Sequence, residues 1–377
     1  MQKDQSEILA VFQRAIKDPS RYARNWKEKK QKPVVGFFCS YVPEEIILAT
    51  GALPFRLFGS RKQITLADSH LQSYSCSLVR GALEDALSGD LDFLKGTVFP
   101  HTCDSIMRLS DIWRINLGFE FHLDLVLPVK LNTKNAREYM VDVMRKFKRD
   151  LEREMRIKIP EEQIRASVKT INRIRELLRE IYDLKSQQPH LIKGADLSSI
   201  VKGSMIIDRH EVLDLLEALW VVLKALDGVP PPEGKRILLA GGLCNMPDIY
   251  DIVETSGGLV VSDDFCTGSR YAGGQVRMHE DIVTAIADRY AERVVCPAKH
   301  SALYSRGEHV LQLAGEKQAD GVIFLYLKFC DPHAFDYPYM REMLNKEGMP
   351  SMLYEIEDQL ASEGQFKTRC EAFIEML

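Results

Sequence analysis

The chain lacks the local signatures by which most cofactor proteins are recognised. It has no C-x-x-C, which excludes a zinc ribbon and a local ferredoxin-type cluster run. G-x-x-x-x-G-K-[ST] and G-x-G-x-x-G are both missing, so there is no obvious phosphate cradle. H-E-x-x-H and G-x-S-x-G are missing too, which argues against a zinc peptidase and a hydrolase nucleophile elbow. No apolar run approaches the ~18 residues of a membrane span. The opening stretch, MQKDQSEILAVFQRAIKD, reads as an amphipathic helix and has no signal-peptide core. A net charge of -4 on 377 residues argues against a general nucleic-acid binder. At 45% hydrophobic and 28% charged the composition is that of a soluble globular protein, and the length calls for two or three domains. With eight cysteines and no secretory signal, reduced thiols and a cytoplasmic location are expected.

What is present is a series of short apolar runs that end at cysteines. The clearest is Ala319–Tyr337, ADGVIFLYLKFCDPHAFDY. Val322–Leu327 is β-branched and aromatic with no polar alternation, the mark of a parallel strand buried on both faces. Pro332 cannot continue a ladder, so this strand is expected to end near Cys330. The cysteine then sits where the chain leaves the carboxyl end of a strand, the edge at which open α/β sheets bind ligands. Further strands are expected at Val34–Phe38, Leu53–Phe58, Gly96–Phe99, His122–Pro128, Arg236–Ala240, Gly257–Val261 and Met349–Ile356. Helices are expected over 5–30, 68–88 with Cys76 inside, 105–115, 248–255, 280–290, 307–317, 339–347 and 367–376. Strand–helix alternation at this spacing makes parallel sheets with right-handed crossovers, an α/β fold.

Between Asn132 and about Asp227 the pattern changes. Charges dominate, and Ile164, Val168, Ile171, Leu178 and Ile181 fall at helical spacing. This reads as a helical insertion whose charges form a solvated face. Val229–Pro232 (VPPP) follows as a linker. The expected organisation is an N-terminal helix (1–32), a first α/β domain (33–131), the insertion (132–233) and a second α/β domain (234–377).

Five cysteines, Cys39, Cys103, Cys244, Cys266 and Cys330, fall just past expected strands. Two readings stand. Cysteine is among the most buried residue types, so each can simply pack. Alternatively, thiolates gathered from distant loops at two sheet edges hold an iron–sulfur cluster, which soft ligands suit better than a hard ion. Cys76 and Cys370 lie within helical patterns and are expected to pack, and Cys296 leans the same way. His101 and His333 stand beside cysteines, either as proton donors or as partners in loop hydrogen bonds. Gly241-Gly242 allows a close approach or a tight turn. Glu355 and Glu357 lie at the end of the last strand, at the edge of any site there.

The segments CSYVPEEIILATGALPFRLFG, FPHTCDSIMRLSDIW, KFCDPHAFDYPYMREML and GQFKTRCEAFIEML together resemble the 2-hydroxyacyl-CoA dehydratase family. That family includes the paired cluster-binding subunits of ATP-dependent (class I) benzoyl-CoA reductase. The T-C-D-S-I-x-R-L-S-D-I-W and F-C-D-P-H-x-F-D-Y-P runs are most similar to the smaller of those subunits. The resemblance implies two Rossmann-like parallel-sheet domains with helical additions. It also implies a [4Fe–4S] cluster held in the cleft between them by Cys39, Cys103 and Cys330. Cys244 and Cys266 then pack or serve a double-cubane cluster. The implied partners are a related subunit in a heterodimer, an ATP-hydrolysing activator with its own cluster, ferredoxin behind it, and an acyl-CoA substrate. Nucleic acid and membrane are not among them. The implied chemistry is one-electron reduction of the thioester to a ketyl-like radical anion. A benzoyl-CoA reductase goes on to reduce the ring, in anaerobic aromatic degradation; a dehydratase expels the 2-hydroxyl. His101, His333 and Glu355 are the candidate acids and bases. A third reading is an electron-transfer protein with a double-cubane cluster and no acyl-CoA site.

Overall fold

The computed structural model describes residues 4–59, 62–226, 233–242, 248–293, 296–356 and 363–377. Cys244, Glu357 and the linker stretch Val229–Pro232 lie outside the described residues. The chain opens with α1 (Gln5–Lys17) and α2 (Pro19–Lys30). The expected single helix is broken because Asp18 ends α1 and caps α2, where Pro19 takes the first position. The first unit then runs β1 (Val34–Phe37), α3 (Glu44–Ala49), β2 (Leu53–Arg56), α4 (Ser77–Leu87), β3 (Gly96–Pro100), α5 (Asp104–Asn116) and β4 (Phe121–Leu125). Next come α6 (Lys134–Met155), α7 (Glu161–Gln187), α8 (Gly194–Ser204) and α9 (Arg209–Ala225), of which α8 is not foreshadowed by the periodicity. The second unit is β5 (Lys235–Gly241), α10 (Asp248–Thr255), β6 (Gly258–Asp264), α11 (Ser269–Ala272), α12 (Ile282–Glu292), α13 (Ser305–Glu316), β7 (Gly321–Leu327), α14 (Asp331–Lys346), β8 (Ser351–Ile356) and α15 (Glu363–Met376).

The strands form two parallel four-stranded sheets, ordered β2-β1-β3-β4 and β6-β5-β7-β8. This is the α/β, Rossmann-like architecture expected. In each sheet the order reverses between the first and third strands, β1 and β3 in one and β5 and β7 in the other. Such a switch point opens a crevice at the carboxyl ends of the strands.

Both faces of both sheets are covered. On the first sheet one core joins Phe12, Trp26, Phe55, Phe99, Trp113, Ile181 and Leu216. The opposite core joins Val35, Val98, Met144, Phe147, Ile164, Ile286 and Tyr290, so α12 packs on the first sheet although it follows β6 in the chain. On the second sheet α10 and α15 cover one face through Ile249, Phe366 and Phe373. The other face packs against α13 and α14 through Val310, Met340 and Leu344.

Two insertion arginines depart from the expected solvated face. Arg209 is buried and donates to Glu44 Oε2 from Nε at 3.0 Å and Nη2 at 2.8 Å, and Arg175 Nη2 lies 2.7 Å from Glu45 Oε1. These pairs tie α7 and α9 to the first turn of α3. Among the described residues no helix is long and apolar enough to cross a membrane.

Candidate functional site

The two strands flanking the first switch point both end in cysteines. Cys39 follows β1 with φ +54°, a left-handed conformation that is unfavourable for a residue with a Cβ. Its sulfur accepts a hydrogen bond from Thr102 Oγ1 at 3.4 Å. Cys103 follows β3 and is the N-cap of α5. On the second sheet β7 ends at Leu327, three residues earlier than expected, and Phe329 (φ +63°) turns the chain so that Cys330 becomes the N-cap of α14. That helix begins at Asp331, well before the expected Tyr339, because Pro332 sits in its first turn where a missing N–H does no harm. On the other side of the second switch point, Gly241-Gly242 is needed for close approach. A Cβ on Gly241 would overlap the Leu325 carbonyl oxygen, and one on Gly242 would sit 3.0 Å from the His333 ring.

Two further thiols join this set. The expected helix over 68–88 is in fact α4 alone, so Cys76 is not inside it but is its N-cap. Three cysteines, Cys76, Cys103 and Cys330, thus cap helix N-termini, where backbone N–H groups and the positive helix end favour a thiolate. Cys296 comes in on the segment after α12, its N–H donating to Tyr41 Oη at 3.2 Å, two residues beyond Cys39.

The thiols lie within electrostatic reach of one another. Burial pushes the Cys103 thiol up to about 12, opposed by the N–H groups of Ile106 and Ser105 and reinforced by Cys76 and Cys296. Burial also raises Cys330 well above its ordinary value, with Cys76, Cys103 and Cys296 adding to it. Cys39 is pushed up to about 12 by burial, eased by Arg56 and raised by Cys103 and Cys296. Cys266 packs against the same core as Cys39, Cys103 and Cys330, whereas Cys370 is buried in the α10–α15 core. None of the described cysteines is in a disulfide.

The two histidines occupy different settings. His333 is buried, its Nδ1 3.2 Å from Cys330 Sγ and its Nε2 without a partner. Burial, with Arg270 and Arg306 nearby, lowers it to about 3, so the ring is neutral. His101 is partly open, its Nε2 3.1 Å from Asp124 Oδ1, and Ser110 Oγ joins the group at 2.8 Å from His122 Nε2. A cavity of about 360 Å³ opens beside Cys103 and the start of α14, with Lys299, His300, Arg306, Asp331 and Phe335 on its walls. Glu355 is exposed on the edge strand β8 and is not part of this cavity.

Among the described residues no three His, Cys, Asp or Glu side chains are arranged to hold a single metal ion. The donor set fits a larger soft group instead. It consists of the half-buried Cys39, Cys103, Cys296 and Cys330 with the buried Cys76, most on helix N-termini and drawn from both sheets, and a cluster takes each thiolate at a separate iron.

The family described as 2-hydroxyglutaryl-CoA dehydratase, D-component, matches residues 39–377. The (R)-phenyllactyl-CoA dehydratase beta subunit of Clostridium sporogenes is 26% identical over 367 residues, covering 97% of both chains. The lactoyl-CoA dehydratase subunit beta of Anaerotignum propionicum is 25% identical over 378 residues, 98% of each chain. A subunit of the benzoyl-CoA reductase of Thauera aromatica is 26% identical over 335 residues, 87% of this chain and 86% of that one.

Proposed function

The chain belongs to the 2-hydroxyglutaryl-CoA dehydratase D-component family, and from that membership we propose that it is the iron–sulfur-cluster-binding core subunit of an activator-dependent acyl-CoA reductase of the benzoyl-CoA reductase type. The observation that carries this reading is the gathering of half-buried thiols from both sheets at their switch points. We assign Cys103 and Cys330 as ligands, with Cys76 as the third thiol, because these three share the helix N-cap position and lie within reach of one another. Cys39, the third ligand implied by motif position, stands beside Cys103 and is the alternative to Cys76.

A bound cluster supplies low-potential single electrons to the carbonyl of a CoA thioester. The chain's own residues do the rest. Helix N-termini direct N–H groups at Cys103 and Cys330 and so favour their thiolates. His333 holds the Cys330 sulfur through its Nδ1 at 3.2 Å. His101, held by Asp124 and partly open to solvent, is the proton carrier on the first-sheet side. The cavity beside Cys103 is the approach for the reacting end of a thioester. A related subunit, and an ATP-hydrolysing activator fed by ferredoxin, complete the assembly in this reading.

A dehydratase subunit is the second reading. It is favoured by coverage, since the two dehydratase beta subunits align with 97% and 98% of this chain and the reductase subunit with 87%. Iron and acid-labile sulfide of anaerobically purified protein test the shared part. About four irons per chain are expected, and about eight would indicate a double cubane. Negligible iron after reconstitution would overturn the cluster reading. Products formed from benzoyl-CoA and from a 2-hydroxyacyl-CoA, with partner subunit and activator present, separate ring reduction from loss of water.

A further inference from the structure

Three cations are buried against the thiol-bearing loops with no carboxylate to balance them. Arg56, 3% exposed at the end of β2, donates from Nη1 to the Cys39 carbonyl, and its Nε has no partner. Arg293, 7% exposed just after α12, donates to the Ser40 carbonyl from Nη1 and to the Arg270 carbonyl from Nη2 at 2.8 Å. Its Nε is likewise unpartnered. Lys299, 4% exposed, donates from Nζ to the carbonyls of His101 at 2.9 Å and Leu127 at 3.4 Å. Among the described residues none of the three has a carboxylate within ion-pair distance. Four other buried arginines nearby have a carboxylate: Arg175 and Arg209 face Glu45 and Glu44, and Arg270 and Arg306 both face Asp264; Arg289 donates to the carbonyls of Tyr271 and Gly273, away from the thiol-bearing loops. The ionisable groups that act on Lys299 are the thiols of Cys296, Cys103 and Cys39.

A buried charge without a counter-ion is strongly unfavourable, and three of them around one site call for a common anion. Their hydrogen bonds go to the Cys39-Ser40 loop and to the residue two before Cys103. The cations are thereby fixed to the backbone that presents the thiols. Arg56 comes from the end of β2 in the first sheet, and Arg293 and Lys299 come from the stretch between α12 and α13. We propose that Arg56, Arg293 and Lys299 form a positive cradle that takes up the negative charge of a thiolate-bound cluster, retains it and sets its reduction potential. They are positioning residues, and the inference rests on the cluster reading above.

Reduction adds a negative charge to the site, and fixed cations stabilise the reduced form. Removing one lowers the midpoint potential and loosens the oxidised cluster as well. The test uses full-length Lys299→Gln, Arg293→Gln and the charge-preserving Lys299→Arg, reconstituted anaerobically beside wild type. Midpoint potentials are read by EPR-monitored redox titration, and cluster retention by iron release to a chelator. Both Gln variants are expected to show a more negative midpoint and several-fold faster iron release, with Lys299→Arg close to wild type. Iron-replete Gln variants with the wild-type midpoint would overturn the cradle while leaving the cluster reading intact. A wild-type protein that binds no iron would remove the cluster reading and the cradle with it. Either Gln variant decides alone, so failure of one to fold does not close the test.

Discussion

Cys330 Sγ lies 3.2 Å from His333 Nδ1, one turn further along the same helix. The imidazole is wedged between the Tyr326 ring, at 5.2 Å, and Gly242, and burial keeps it neutral. A neutral ring could turn its Nδ1–H toward a thiolate sulfur whose proton has been released on binding iron, and such a bond would stabilise the more electron-rich state. His333→Phe keeps the ring volume and removes that donor. Its expected phenotype is a retained cluster with a lower midpoint potential and an altered EPR spectrum of the reduced form. A spectrum and potential identical to wild type would remove His333 from the site.

Loading of the site depends on pH in a direction that follows from the thiols. Burial pushes Cys39 and Cys103 up to about 12 and raises Cys330 well above its ordinary value, so all three are protonated at neutral pH in the metal-free chain. Each cysteine that binds iron must release a proton, and binding therefore tightens as pH rises, by about tenfold per pH unit for each proton released. Competition with an iron chelator at about pH 6.5 and about pH 8.5, in conditions where the chelator's own titration is corrected, measures this. A flat response would mean that the ligands are not these thiols.

The strands were legible in the sequence for a physical reason. Parallel strands covered on both faces are continuous apolar runs, and Val34–Phe37, Gly96–Pro100, Lys235–Gly241 and Ser351–Ile356 lie within a residue or two of where those runs stand. Helix starts were less legible. Asp331-Pro332 carries the acid and proline of a first helical turn, and α14 begins there, eight residues before the expected start at Tyr339. Cys76 escaped because caps are sought among Ser, Thr, Asp and Asn, though a cysteine standing directly before the apolar periodicity of SLVRGALEDAL carried the information. The buried cations had no sequence signal. Lys299 meets the carbonyls of His101 and Leu127, which lie more than 170 residues away in the chain.

The Glu44–Arg209 pair gives a stability prediction. Both side chains are buried, and Arg209 also donates to the carbonyls of Pro54 and Met205. Arg209→Met leaves a buried carboxylate short of one cation and is expected to destabilise the protein by about 3–5 kcal/mol. Adding Glu44→Leu removes the stranded charge and should recover a large part of that loss. Urea unfolding of the single and double variants checks both, and a double variant less stable than Arg209→Met alone would refute the account.

The last prediction separates Cys76 from Cys39 as the third ligand. Both are close enough to Cys103 to raise its thiol or be raised by it, but their settings differ. Cys76 caps α4 as Cys103 caps α5 and Cys330 caps α14, and it acts on Cys103 and Cys330 together. Cys39 is bound from the side by Thr102 Oγ1 and held through its carbonyl by Arg56, in a strained backbone position. Loss of a ligand should be far more damaging to iron content than loss of a neighbour. Cys76→Ser, Cys103→Ser and Cys330→Ser are therefore expected to lose most of their iron, while Cys39→Ser retains it with a shifted spectrum, since serine preserves the Thr102 contact. Iron and sulfide analysis of the four anaerobically purified variants, with circular dichroism to confirm that each is folded, gives the answer directly. Iron lost from Cys39→Ser and kept by Cys76→Ser would exchange the two roles, making the strained thiol after β1 the ligand and the helix cap its neighbour.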